Sequence, residues 1–69
     1  MPERLANRLK DKRVALGLTQ AELAERCAVS RKTVNTVENG VFVPSALLAL
    51  KLARALGEPV EDLFFLSAE

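Results

Sequence analysis

The stretch Thr19-Gln20-Ala21-Glu22-Leu23-Ala24-Glu25-Arg26-Cys27-Ala28-Val29-Ser30-Arg31-Lys32-Thr33-Val34-Asn35-Thr36-Val37-Glu38-Asn39-Gly40 decides the fold. It reads as two short helices joined by a tight turn. Thr19 and Glu22 have the spacing of a capping box, in which the hydroxyl accepts one free backbone N–H and the carboxylate accepts another. Leu23, Ala24 and Cys27 then form an inward stripe over residues 20–27. Ser30 is a strong N-cap residue and opens a second helix over 31–39. On a helical wheel Thr33, Val34 and Val37 share one side, and Arg31, Lys32, Asn35, Thr36 and Asn39 share the other. Glu38 sits at the edge of the apolar side, and Gly40 closes the helix.

Outward from this pair the pattern stays helical. Residues 4–16 place Leu5, Leu9 and Leu16 in one stripe with Arg13 on its border, and Gly17 ends the segment. After the connector Val41-Phe42-Val43-Pro44, Ser45 caps a helix over 45–56 that Gly57 terminates. Most of its wheel is apolar, with only Leu47, Lys51 and Arg54 on the remaining side, as for a central helix packed by several neighbours. Residues 59–65 form a last helix, with Pro59 in its first turn and Glu61 and Asp62 at the positive end of its dipole. No period-two run of β-branched residues is present, so the expected fold is all-α: five compact helices in one domain over residues 1–69.

Composition narrows the chemistry. Sixty-nine residues form a small domain that buries only about 60% of its unfolded surface. One cysteine precludes an internal disulfide, and the lack of histidine removes the usual zinc ligand and the usual neutral-pH base. With three Phe, no Trp and no Tyr, an aromatic small-molecule site is not expected. The sequence therefore predicts no enzyme, metal, cofactor or small-molecule ligand. The charged N-terminal stretch does not read as a signal peptide, and the apolar run from Val41 to Leu56 is too short to span a bilayer. A cytoplasmic protein without a membrane partner is expected.

The net charge of +1 conceals an asymmetry. Residues 1–32 carry eight basic side chains against four acidic ones, and residues 33–69 carry two against five. Such a division suits one face for a polyanion, although ordinary surface charge would produce it as well. The polar arc of residues 31–39 contains Arg, Lys, Asn and Thr and no acid. That combination suits a helix lying in the major groove of DNA, where Arg and Lys donate to guanine, Asn pairs with adenine and Thr meets a thymine methyl. A plain solvated helix face would have the same look.

Several runs, in order, resemble the lambda-repressor-like (Cro/CI-type, or XRE) helix-turn-helix family. Leu16-Gly17-Leu18-Thr19-Gln20-Ala21-Glu22-Leu23-Ala24 resembles its first half. Val29-Ser30-Arg31-Lys32-Thr33-Val34 and Val37-Glu38-Asn39-Gly40 resemble its second. Pro44-Ser45 and Ala49-Leu50-Lys51-Leu52-Ala53-Arg54-Ala55-Leu56-Gly57 are similar to its fourth helix, and Pro59-Val60-Glu61-Asp62-Leu63-Phe64 to its fifth. The resemblance spans residues 4–66 and is strongest to short, single-domain members. It implies base reading by Arg31, Lys32 and Thr36, with Asn35 as a further candidate. It implies phosphate contacts from Gln20, Arg13, Asn39 and Ser30, and a structural ion pair between Arg13 and Glu38.

Three departures from the family pattern stand out. Ala28 replaces a common turn glycine and would cost about 1 kcal/mol if its φ is positive. Val41-Phe42-Val43 replaces a more polar loop, removing a phosphate contact and leaving apolar surface, with Phe42 expected to pack on the domain. Cys27 is read as a core filler. Family members bind two-fold symmetric operators as dimers, and Leu47, Phe65 and Leu66 are the apolar residues expected at a homodimer interface. The resulting expectation is a sequence-specific transcriptional regulator, a repressor, acting on double-stranded DNA. Two alternatives are an antitoxin whose Val41–Val43 loop holds a small protein partner, and a controller protein of a restriction–modification system.

Overall fold

The computed structural model describes residues 3–68. The elements, in chain order, are β1 (Glu3–Asn7), α1 (Leu9–Ala15), α2 (Gln20–Cys27), α3 (Arg31–Glu38), α4 (Ala46–Leu56), α5 (Val60–Leu63) and β2 (Phe64–Ala68). The fold is mostly helical, and its five helices are those expected. It is not strictly all-α, because β1 and β2 form a two-stranded antiparallel sheet with Leu5 opposite Leu66 and Ala6 opposite Phe65.

The strands correct two expected boundaries. Residues 4–16 are not one helix, since the chain is extended to Asn7 and helical only from Leu9. Asn7 is the physical reason. Its Oδ1 accepts the Leu9 N–H at 3.0 Å, and its Nδ2 donates to the Val37 carbonyl at 3.0 Å. An Asn side chain that satisfies a free N–H two residues on marks a helix start, not a helix interior. The first helix also stops early, and Leu16 is 54% exposed instead of lying in a buried stripe, while Leu18 enters the core. At the other end, α5 is one turn. Phe64 leaves it at φ −124°, ψ 137°, so Phe65 belongs to a strand. Two adjacent aromatics suit a pleated, half-buried surface better than a short helix end.

The core is built from Leu9, Leu23, Cys27, Val34, Val37, Leu52 and Leu63, with α4 contributing Leu48, Ala53 and Leu56 besides. Leu50, expected in the apolar arc of α4, is exposed instead. Serine and threonine caps organise the helices. Ser45 accepts the Leu48 N–H, and Ser30 accepts the Thr33 N–H, both at 3.1 Å. Phe42 is half-exposed and forms one wall of a groove of about 270 Å³ with Val29, Leu47 and Leu48.

Ala28 ends α2 in the left-handed region at φ 57°, ψ 42°, close to the values of Gly57 at the end of α4. Its Cβ strains that turn. Cys27, immediately before it, is buried, and burial raises its thiol pKa. Ala28→Gly should stabilise the protein by about 0.5–1 kcal/mol, the strain relief exceeding the glycine's extra unfolded-state entropy. Urea unfolding will read this directly. The same variant should slow reaction of Cys27 with a thiol reagent several-fold, because the thiol is reached through opening of the fold. Faster labelling, or an unchanged urea midpoint, would contradict the strain assignment.

Candidate nucleic-acid interface

The helix pair is set by its caps. Thr19 Oγ1 accepts the Glu22 N–H at 3.0 Å, and Glu22 Oε1 accepts the Thr19 N–H at 2.8 Å. Hydrogen bonding to the Thr19 backbone and hydroxyl holds the Glu22 carboxyl below its ordinary pKa. The chain turns through Ala28, whose following residue Val29 donates to the Ala24 carbonyl at 3.0 Å. Ser30 then starts α3.

Behind α3 lies a polar cluster. Arg13 Nε donates to Glu38 Oε2 at 2.6 Å, and Arg13 Nη2 donates to Glu38 Oε1 at 3.3 Å. Arg13 Nη1 donates to the Leu18 carbonyl at 2.8 Å, and Gln20 Nε2 donates to Glu38 Oε1 at 3.0 Å. The Arg13 side chain is 10% exposed and that of Glu38 is 3%. One carboxylate thus receives donors from α1 and α2, tying both to the end of α3. Its charge is neutralised inside the fold and does not face the solvent side of α3.

That solvent side carries the residues singled out from the sequence. Arg31 and Lys32 are exposed in the first turn of α3, which contains no acid, and Asn39 is exposed at its end. Asn35 and Thr36 are half-buried between them. Asn39 Nδ2 donates to Asn35 Oδ1 at 3.3 Å, and Thr36 Oγ1 donates to the Thr33 carbonyl at 3.0 Å. Ser30, Arg31, Lys32, Asn35, Thr36 and Asn39 are therefore gathered on one helix and its cap. Gln20 and Arg13 adjoin it from within, Gln20 with one amide hydrogen bond to Glu38 and Arg13 with its guanidinium on Glu38 and the Leu18 carbonyl. Leu47 stands apart in the groove beside Phe42, while Phe65 and Leu66 lie in β2. The sequence did not single out Asn7, which fixes the last turn of α3 through Val37, or Arg8, whose guanidinium lies 4.3 Å from the Phe65 ring centre.

The helix-turn-helix family profile matches residues 9–63, which contain all five helices. The chain belongs to the XRE-type helix-turn-helix family. An uncharacterised HTH-type transcriptional regulator from Methanothermobacter thermautotrophicus is 48% identical to this XRE-type protein over 62 residues, covering 88% of this chain and 90% of the relative. The Bacillus subtilis HTH-type regulator YgzD is 42% identical over 65 residues, covering 94% and 98%. Among solved structures, the restriction–modification controller protein C.AhdI from Aeromonas hydrophila is similar with a TM-score of 0.77 and 38% identity, covering 80% of this chain and 83% of that one. Among the described residues no helix is long and apolar enough to cross a membrane, and no group of His, Cys, Asp and Glu could hold a metal ion.

Removing one partner of a buried ion pair leaves the other charge uncompensated. Arg13→Met should therefore cost about 3–5 kcal/mol, while the double variant Arg13→Met with Glu38→Leu should lose clearly less than the two single losses combined. Denaturant titration of the four proteins in one buffer gives the coupling. Additive losses would mean that the two side chains do not act as a pair.

Proposed function

We propose that this protein is a sequence-specific transcriptional regulator of double-stranded DNA, a repressor that lays α3 in the major groove and works as a homodimer on a two-fold symmetric operator. The observation that carries this is the division of charge across α3: cations and amides outward, its one carboxylate paired inward. Arg31 and Lys32 would donate to guanine edges. Asn35 keeps its amide N–H groups for an adenine. Thr36 commits its hydroxyl to Thr33, so it offers a methyl group to thymine. Ser30, Asn39 and Gln20 are assigned to phosphates flanking the reading helix, with Gln20 held in position by Glu38. Arg13, with its donors turned inward, is assigned to holding the helices and not to a direct contact. Such a regulator acts in the cytoplasm beside its DNA.

The likeness to C.AhdI favours one second reading, a controller protein of a restriction–modification system that activates as well as represses. The helix-turn-helix surface would serve both.

Selection of bound duplexes from a random pool tests the reading. It should return an inverted repeat with half-site centres one helical turn apart, about 34–36 Å. Against that sequence, Arg31→Ala and Lys32→Ala should each weaken binding by about 1–3 kcal/mol and relax the preference at one position. Gln20→Ala should weaken binding evenly across sequences. Wild-type affinity in both the Arg31 and Lys32 variants would overturn the assigned reading face.

A further inference from the structure

The turn between α2 and α3 meets the start of α4 across an open groove of about 270 Å³. Val29 lines it from the turn, Thr33 from the first part of α3, Phe42 from the connecting loop, and Leu47 and Leu48 from α4. Leu48 is buried, whereas Phe42 and Leu47 stand as walls, 48% and 65% exposed. Small-molecule sites are concave and mostly apolar, with a few placed polar groups. The sequence reading expected no small-molecule ligand, because this groove is assembled from separate stretches of chain and its single aromatic is Phe42.

One side chain in the lining carries a charge. Lys51 follows Leu47 by four residues and Leu48 by three, so the three share one face of α4. It is half-buried in the groove wall, and α4 contains no acidic residue. The ion pairs among the described residues are Lys12–Glu58 and Arg13–Glu38, and Lys51 takes part in neither. Its field reaches into the fold: burial raises the pKa of the Cys27 thiol, and Lys51, then Arg54, oppose that rise. Ser45 adds a second polar group to the lining. Its Oγ accepts the Leu48 N–H, which leaves its own O–H to donate. A partly desolvated cation on an apolar wall is stabilised by an anion that arrives on an apolar body.

We propose that this groove binds a small apolar carboxylate of the medium-chain fatty-acid class, and that filling it weakens the hold of α3 on DNA. The carboxylate pairs with the Lys51 ammonium, and the chain lies between Phe42 and Leu47 over Leu48. A small hydrophilic anion would satisfy the charge and leave the apolar walls wet. An uncharged hydrocarbon chain would cover the walls and leave the cation unpaired. The groove also adjoins α3. Val29 follows the left-handed Ala28, and Thr33 follows Lys32 directly. An occupant therefore ties the start of α3 to α4 and adds a negative charge where a phosphate would approach. This effect on DNA rests on the proposed function, in which α3 reads the duplex; the site itself does not.

Octanoate, octanol and acetate, each kept below aggregation, separate the parts of the site. In isotope-labelled protein, octanoate should produce saturable amide shifts centred on Val29, Thr33, Phe42 and Leu47, and should raise the urea midpoint. Acetate, which has the charge and no chain, should produce no saturable shift. Lys51→Gln should weaken octanoate binding about tenfold. Octanol should bind the wild type and Lys51→Gln equally, which shows that the variant keeps its groove. Octanoate should lower the wild-type affinity for the selected operator several-fold and leave that of Lys51→Gln nearly unchanged. Shifts that scatter over the exposed Leu50 and Leu66 without saturating, or equal octanoate affinity in wild type and Lys51→Gln, would overturn the site. Saturable binding that leaves operator affinity unchanged would overturn the effect on DNA. Saturable, Lys51-dependent binding by a protein that selects no duplex would support the site and overturn the regulator reading instead.

Discussion

A single carboxylate organises the helix-turn-helix half of this domain. Glu38 sits at the end of α3 with its side chain almost wholly removed from water, and accepts from Arg13 of α1 and Gln20 of α2. Arg13 in turn closes onto the Leu18 carbonyl, at the corner between α1 and α2. Geometry of this kind is expensive to desolvate and strict about distance, so it adds less to net stability than to uniqueness of arrangement. Three helices that could slide over an apolar contact are pinned at one point. The orientation of α3 follows from it, and so does the electrostatic character of its outer face, because the one acid on the helix is spent inside.

The second organising contact is Asn7. Its amide serves two partners, the start of α1 and the last turn of α3. It therefore connects the ribbon to α3, and β1 and β2 bring the two ends of the described chain together against the helical body. A two-stranded ribbon is marginal by itself. Here it is anchored at one end by Asn7, by the Arg8–Leu63 hydrogen bond and by the packing of Phe64 on the core, while its far end around Leu66 is left exposed.

The parts of this fold that were legible in the sequence are the local ones. Thr19, Ser30 and Ser45 each announce a helix start by a hydrogen bond only three residues long, and Gly57 announces an end by its own backbone freedom. The outward set on α3 follows from helical spacing alone. What was hidden is non-local. Leu5, Leu9 and Leu16 satisfy a helical period, and nothing within residues 4–16 reveals that β1 pairs with residues about sixty positions away. Asn7 was the available signal, an Asn just ahead of the helix that begins at Leu9. The side chain of Gln20 illustrates a different limit: nothing local to the first turn of α2 reveals that its amide leans on Glu38, eighteen residues away, with one of its N–H groups.

Size makes these choices intelligible. A chain of 69 residues with one cysteine has no internal disulfide, and among the described residues no group of His, Cys, Asp and Glu could hold a metal ion. It holds α3 with a small apolar core and a few directional contacts, and it places those contacts where rotation of α3 would otherwise be cheapest: Glu38 near its end, Asn7 on its Val37 carbonyl, Ser30 at its start. The left-handed Ala28 fits the same logic, since a strained turn is tolerable only where the surrounding helices are already fixed. Rigidity is bought near α3, and the exposed apolar residues fall elsewhere: the Val41–Val43 loop, Leu47 and Leu50 on α4, and Leu66 on the ribbon. The outer face of α3 is thereby kept polar and fixed, as a surface must be if it is to discriminate among partners by hydrogen bonds whose angles tolerate little error.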